Sequence, residues 1–182
     1  HLECTDENDM FMDILKDTRW VDDDLQSFLD VAIQSRRPVT IKVLLSLVST
    51  IPFPKFFLLL FEMDEETCVE VFQREKYRDR KNLLAALQRA CLMNMKTLVR
   101  EILKQGVKLQ PVVLLTDFSF GITEILIKEY PWCLRELHEI EKILTNPRSN
   151  RLLKSEIQKK PETAESGSIN TDKHTVLYER NA

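Results

Sequence analysis

The side chains best suited to nucleophilic or proton-transfer chemistry are three histidines (His1, His138, His174) and four cysteines (Cys4, Cys68, Cys91, Cys133). Cys133 and His138 stand five residues apart, a spacing that puts them on different faces of a helix, so no cysteine–histidine pair forms there. His1 and His174 fall in segments read as flexible ends. The cysteines are widely scattered with no CxxC pair, which fits neither a zinc site nor a disulfide-dense secreted scaffold. Free thiols in a reducing, intracellular compartment are the expectation. Carboxylates gather at Asp22–Asp24 and Asp64–Glu66, just ahead of predicted helices, where capping explains them better than acid–base or metal chemistry. Gly106, Gly121 and Gly167 are too far apart to form a phosphate-cradling loop. The expectation is a protein without catalytic residues, cofactor or bound metal.

Two stretches carry surface chemistry instead. In "QREKYRDRK" (Gln73–Lys81), Arg74, Lys76, Arg78, Arg80 and Lys81 surround Tyr77. They could contact phosphates while the tyrosine stacks on a base. Glu75 and Asp79 interleave with them, and the net charge of −3 weakens any claim on nucleic acid. In "LMNM", Leu92, Met93 and Met95 occupy the end of one predicted helix and its turn, where they would make an adaptable apolar patch.

What must position these residues is a set of helices. With 182 residues, 43% of them apolar, only 3 glycines and 8% aromatics, the chain has the composition of a single all-α domain. Charge is unevenly spread: ten acids from Glu3 to Asp30 face only Lys16 and Arg19, so residues 1–30 carry about −8 and the remainder about +5. The most apolar window, Ile41–Phe61, contains Lys42 and Lys55 and is broken by Pro52 and Pro54, so it predicts no membrane span. No signal peptide is visible, and a start on His1 suggests a fragment of a longer protein.

The pattern then repeats. Phe28–Val48 lies over Ala86–Gly106 without a gap, matching Leu29 with Leu87, Ala32 with Ala90, Ile41 with Val99, and Leu44–Leu45 with Ile102–Leu103. Phe57–Lys76 fits the same frame, with Leu60 at the alanine position and Val69, Val71 and Phe72 on the second helix. A shorter fourth unit places Ile122, Ile125 and Leu126 on its second helix. Leading positions 29, 57, 87 and about 111 are spaced by 28, 30 and 24 residues, the signature of stacked helical hairpins.

The stretch Leu87–Leu109 resembles the ankyrin helix pair. It keeps the leading Leu87, the small pair Ala90–Cys91, the Val99 and Ile102–Leu103 core and the closing Gly106, which suits a left-handed helix end. Missing are the T-P-L-H element, an equivalent of Gly106 in the other units, and the turn-rich hairpin between repeats. The resemblance is to a degenerate ankyrin-like repeat, with another helical hairpin repeat as the rival. It implies a solenoid of about four stacked hairpins over 25–130. An acidic segment with one short helix (1–24) precedes it, a capping helix (131–146) closes it, and a basic, then disordered tail (147–182) follows.

Such solenoids present extended binding surfaces. The resemblance therefore implies a non-catalytic adaptor or scaffold module, a monomeric domain of a larger intracellular protein, nuclear or cytoplasmic. A protein partner would bind the inner helices at Gln88, Leu92, Met93 and Met95, flanked by Asp30, Gln34, Arg36 and Arg37. The alternative is a helical nucleic-acid- or phosphate-binding domain using Arg74, Lys76, Arg78, Arg80 and Lys81.

Overall fold

The computed structural model describes residues 13–14, 19–116 and 118–160. The short helix expected in residues 10–20 lies mostly outside the described residues, and the tail from Pro161 lies wholly outside them. Among the described residues there are nine α-helices and no strand. They are α1 (Asp22–Gln34), α2 (Pro38–Leu47), α3 (Phe53–Glu62), α4 (Glu65–Glu75), α5 (Arg80–Leu92), α6 (Lys96–Lys104), α7 (Phe120–Glu129), α8 (Leu134–Ile143) and α9 (Pro147–Lys159). A 3-10 turn, Pro111–Leu115, stands where a helix before α7 would be.

Local chemistry sets the boundaries. Asp64 and Asp79 accept the backbone N–H of Thr67 and Asn82 at 2.9 Å, and Asn146 accepts that of Arg148 at 2.9 Å, each starting a helix. Cys133 and Glu136 form a reciprocal capping box at α8. The aspartates of α1 act differently from the capping role expected. The cap position is Val21, Asp22–Asp24 fill the positive first turn, and Asp22 accepts the Ser49 N–H at 2.9 Å, tying α1 to the end of α2.

The helices pair as α1–α2, α3–α4, α5–α6 and α8–α9, and the pairs pack in two rows. In the first row α1 contacts α3, α3 contacts α5, and the 3-10 turn contacts α8; in the second, α4 contacts α6, α6 contacts α7, and α7 contacts α9. The second-row helices share one frame. Their cap residues are Arg37, Asp64, Met95, Ser119 and Asn146, spaced by 27, 31, 24 and 27 residues. Three residues past each cap stand Thr40, Thr67, Leu98, Ile122 and Ser149, and seven past stand Leu44, Val71, Ile102, Leu126 and Leu153; all ten are buried. That is the spacing of a single helical stripe.

The first and third hairpins superpose in sequence at an offset of 58 residues, and their turns agree in detail. Arg36 and Asn94 both adopt left-handed φ, +52° and +59°. The next N–H, of Arg37 or Met95, reaches back to the Ala32 or Ala90 carbonyl at 3.1 and 2.9 Å. In the second hairpin the frame corrects the sequence expectation by one residue. Phe56, not Phe57, takes the Leu29 position, and Cys68, not Val69, takes that of Ile41, each fully buried. The run "FFLLLF" is apolar on every side, so periodicity alone could not fix its phase.

A second correction concerns the C-terminal end. The expected single capping helix over 131–146 is a helical pair, because the basic stretch after Pro147 forms α9. Leu153 and Ser149 face the core, the Arg148 guanidinium lies 4.0 Å from the Phe120 ring centre, and Lys160 donates to the Trp132 carbonyl. Pro147 suits the first position of that helix, as Pro38 suits α2.

Polar ties join successive hairpins. Glu65 of α4 accepts the backbone N–H groups of Thr97 and Leu98, capping α6 from the neighbouring unit. Lys42 pairs with Asp64 at 2.7 Å, Lys55 with Asp30 at 2.9 Å and Arg100 with Glu129 at 2.8 Å.

Candidate interaction surface

The outward face of the first row begins with α5. Leu84, Gln88 and Leu92 stand four residues apart and so form one ridge along the helix. Burying Leu83, Ala86, Leu87, Ala90 and Cys91 turns this ridge away from the core. Leu92 keeps 57% of its surface and Met93 keeps 40%.

On α3, Leu58 and Phe61 keep 48% and 43% of theirs, and the Arg89 guanidinium of α5 lies 3.3 Å from the centre of the Phe61 ring. The repeat frame explains the alignment. Gln34, Phe61 and Leu92 are equivalent positions on α1, α3 and α5, as are Val31, Leu58 and Arg89. Each set thus holds two apolar members on adjacent helices, Phe61 with Leu92 and Val31 with Leu58, and one polar member, Gln34 or Arg89. Leu58 and Phe61 were not singled out in the sequence because they belong to a run apolar on every side, which gives periodicity no phase.

Three expected members fare differently. Met95 is buried at 5% exposure, because the left-handed Asn94 turns the chain inward and places Met95 at the start of α6. It belongs to the core and not to the patch. Asp30, Gln34, Arg36 and Arg37 do not flank Leu92, since α3 stands between α1 and α5. Of these, Asp30 pairs with Lys55, and Arg36 reaches Glu62 at 3.5 Å. Gln34 and Arg37 are exposed on the first hairpin.

Beyond α5 the surface deepens into a groove of about 520 Å³, lined by Leu84, Gln88 and Leu92 on one side and by residues of the 108–118 segment, among them Lys108, Val112 and Phe118, on the other. An adjoining hollow of about 420 Å³ shares Gln110 and Val112 and runs on to Glu139 and Ile143 of α8. Val112 is 55% exposed between the two.

The basic run divides. Lys76, Arg78, Arg80 and Lys81 are exposed, but Arg74 turns back to donate to the Leu45 carbonyl at 2.7 Å. Tyr77 is not available for base stacking. It packs among Phe53, Phe56 and Phe72, with 4.9 Å between its ring centre and that of Phe56, and its hydroxyl donates to the Ile51 carbonyl at 2.6 Å. Burial raises its pKa well above the ordinary phenol value.

Burial pushes the thiols of Cys68 and Cys91 up to about 12, leaving them protonated, while Cys133 is exposed at the α8 cap. Among the described residues no group of three histidine, cysteine or acidic side chains could hold a metal ion, and no helix is long and apolar enough to cross a membrane. No protein-family model, curated protein or solved structure was found to match this chain.

Proposed function

We propose that this chain is a protein-interaction module, a divergent ankyrin-like solenoid that binds a partner through the outward face of its first-row helices. The observation that carries the reading is the set of exposed apolar side chains on neighbouring first-row helices, Leu58 and Phe61 on α3 and Leu92 with Met93 on α5, of which Phe61 and Leu92 stand at equivalent positions. Exposed apolar residues are common singly, but a group of them on adjacent helices, one of which lines a groove, is a usual form of docking surface. The ankyrin-like reading draws further support from the shared turn geometry of the first and third hairpins and from Gly106, whose φ is +72°. On this reading the module serves as an adaptor or scaffold.

The test compares the chain with a Leu92→Glu/Met93→Glu variant in affinity capture from cell lysate, read by mass spectrometry. Circular dichroism first establishes that the variant is folded, as expected for substitutions at exposed positions. A discrete set of proteins captured by the unaltered chain and lost by the variant supports the reading. Identical capture by both would sink it, and nuclease-sensitive, salt-dependent capture would move the site to Lys76, Arg78, Arg80 and Lys81.

A further inference from the structure

The groove beside α5 has a structural origin that points to its occupant. Each of the first three hairpins opens with a helix of 10 to 13 residues, α1, α3 or α5. At the corresponding place in the fourth unit the chain spends only the five residues Pro111–Leu115 on a 3-10 turn, which packs toward α8. The second row continues through α6, α7 and α9 without a missing member. A helix is therefore absent from the first row, and the two adjoining hollows mark the space it would fill.

The walls are shaped for a helix. Leu84, Gln88 and Leu92 present an i, i+4, i+8 ridge about 12 Å long on α5, the kind of ridge that interdigitates with a neighbouring helix. Val112 offers an apolar contact from the opposite wall. The charge of the groove is one-sided. Lys108 is the single ionisable side chain lining the larger hollow, and it forms no ion pair among the described residues. In the smaller hollow Glu139 is already engaged by Arg135 at 3.4 Å.

We propose that a partner protein supplies the missing first-row helix: an amphipathic helix whose apolar stripe packs on Leu84, Leu92 and Val112 and whose flank carries carboxylates facing Lys108. This is helix-in-groove recognition with the groove made by omission from the repeat. The proposal rests on the interaction-module reading and specifies its partner.

The experiment uses a fluorescent synthetic helical peptide with leucines spaced three and four apart along one face and glutamates beside them. Two further versions carry lysines for the glutamates, or a central proline that breaks the helix. Binding to the full chain is read by anisotropy, with circular dichroism and thermal midpoints confirming that every chain variant is folded. The acidic peptide binds saturably, the lysine version more weakly, and the proline version at least about tenfold more weakly. Leu92→Glu and Val112→Glu, on opposite walls, each weaken the acidic peptide by at least about tenfold. Lys108→Glu narrows or reverses the preference for glutamate over lysine.

Absence of saturable binding, or equal binding by both wall variants, overturns the proposal. Equal binding of the proline version overturns it too, assigning the groove to an extended segment. Self-association of the chain that Leu92→Glu abolishes would give the groove to a second copy. If lysate partners are still lost on Leu92→Glu/Met93→Glu while no peptide binds, the interaction reading stands and the missing-helix proposal alone fails.

Discussion

Asp64 shows how much one side chain does here. It caps α4 through the Thr67 N–H and pairs with Lys42 of the preceding hairpin. The Lys42 ammonium, followed by the Thr67 N–H, holds its carboxyl down to about 2. A carboxylate whose folded pKa lies below the unfolded value of about 3.9 contributes stability that is full above that value and is lost as pH falls toward the folded pKa. Asp64→Ala is therefore expected to cost about 1 kcal/mol at neutral pH, mostly as the lost cap because the half-exposed ion pair is screened. Urea titrations from pH 7 down to pH 2 should show the gap to the unaltered chain shrinking. The thiols make a second residue-scale prediction. With Cys68 and Cys91 buried and protonated, iodoacetamide at pH 8 should label Cys133 rapidly and the other two only on unfolding, as peptide mass spectrometry would resolve. Equal native-state labelling of Cys91 would contradict its place in the core.

At the scale of helices and turns, left-handed residues are the sensitive points. Gly106 ends α6 at φ +72° with open space where a Cβ would stand, so Gly106→Ala is expected to destabilise by about 1 kcal/mol through backbone strain alone. Lys76 closes α4 at φ +52°, so Lys76→Gly is expected to gain up to about 1 kcal/mol. Denaturant midpoints of the two variants should move in opposite directions. Much of this level was legible in the sequence. The gapless match of Phe28–Val48 to Ala86–Gly106 located equivalent helices and turns, and Gly106 announced its own conformation. Two things were not legible. The α3 run is apolar on all sides, and a stripe cannot be phased where every position could belong to it. The α9 stripe is thin, with Leu153 and Ser149 buried and basic residues around them, so composition masked the helix.

For the molecule as a whole, stability is shared between neighbouring hairpins through one continuous core. Phe56 is fully buried and packs against the rings of Phe53, Phe72 and Tyr77. Phe56→Ala is expected to cost about 3–5 kcal/mol in equilibrium unfolding, enough to threaten a domain of ordinary stability. Leu58→Ala, two residues away and half-exposed, should cost under about 1 kcal/mol. Of the candidate surface, the sequence singled out Leu92, Met93 and Met95 because the repeat frame put apolar residues where polar ones are usual, and of these Leu92 and Met93 are exposed while Met95 is buried. The sequence could not locate Phe61, Leu58 or Val112, whose exposure depends on how neighbouring helices pack. Nor could it foresee Tyr77 leaving the basic run, since the aromatic cluster that draws it in joins residues of two separate helices, α3 and α4.

The five-residue turn at Pro111–Leu115 has a mechanical consequence as well. One edge of the molecule runs on through α6, α7 and α9, whereas the opposite edge is notched between α5 and α8. A beam notched on one side bends at the notch, opening or closing it, while the unbroken side acts as the pivot. Flexing is therefore expected to concentrate between α5 and α8, and spin labels placed across the notch should report a broader distance distribution than labels placed across α1 and α3.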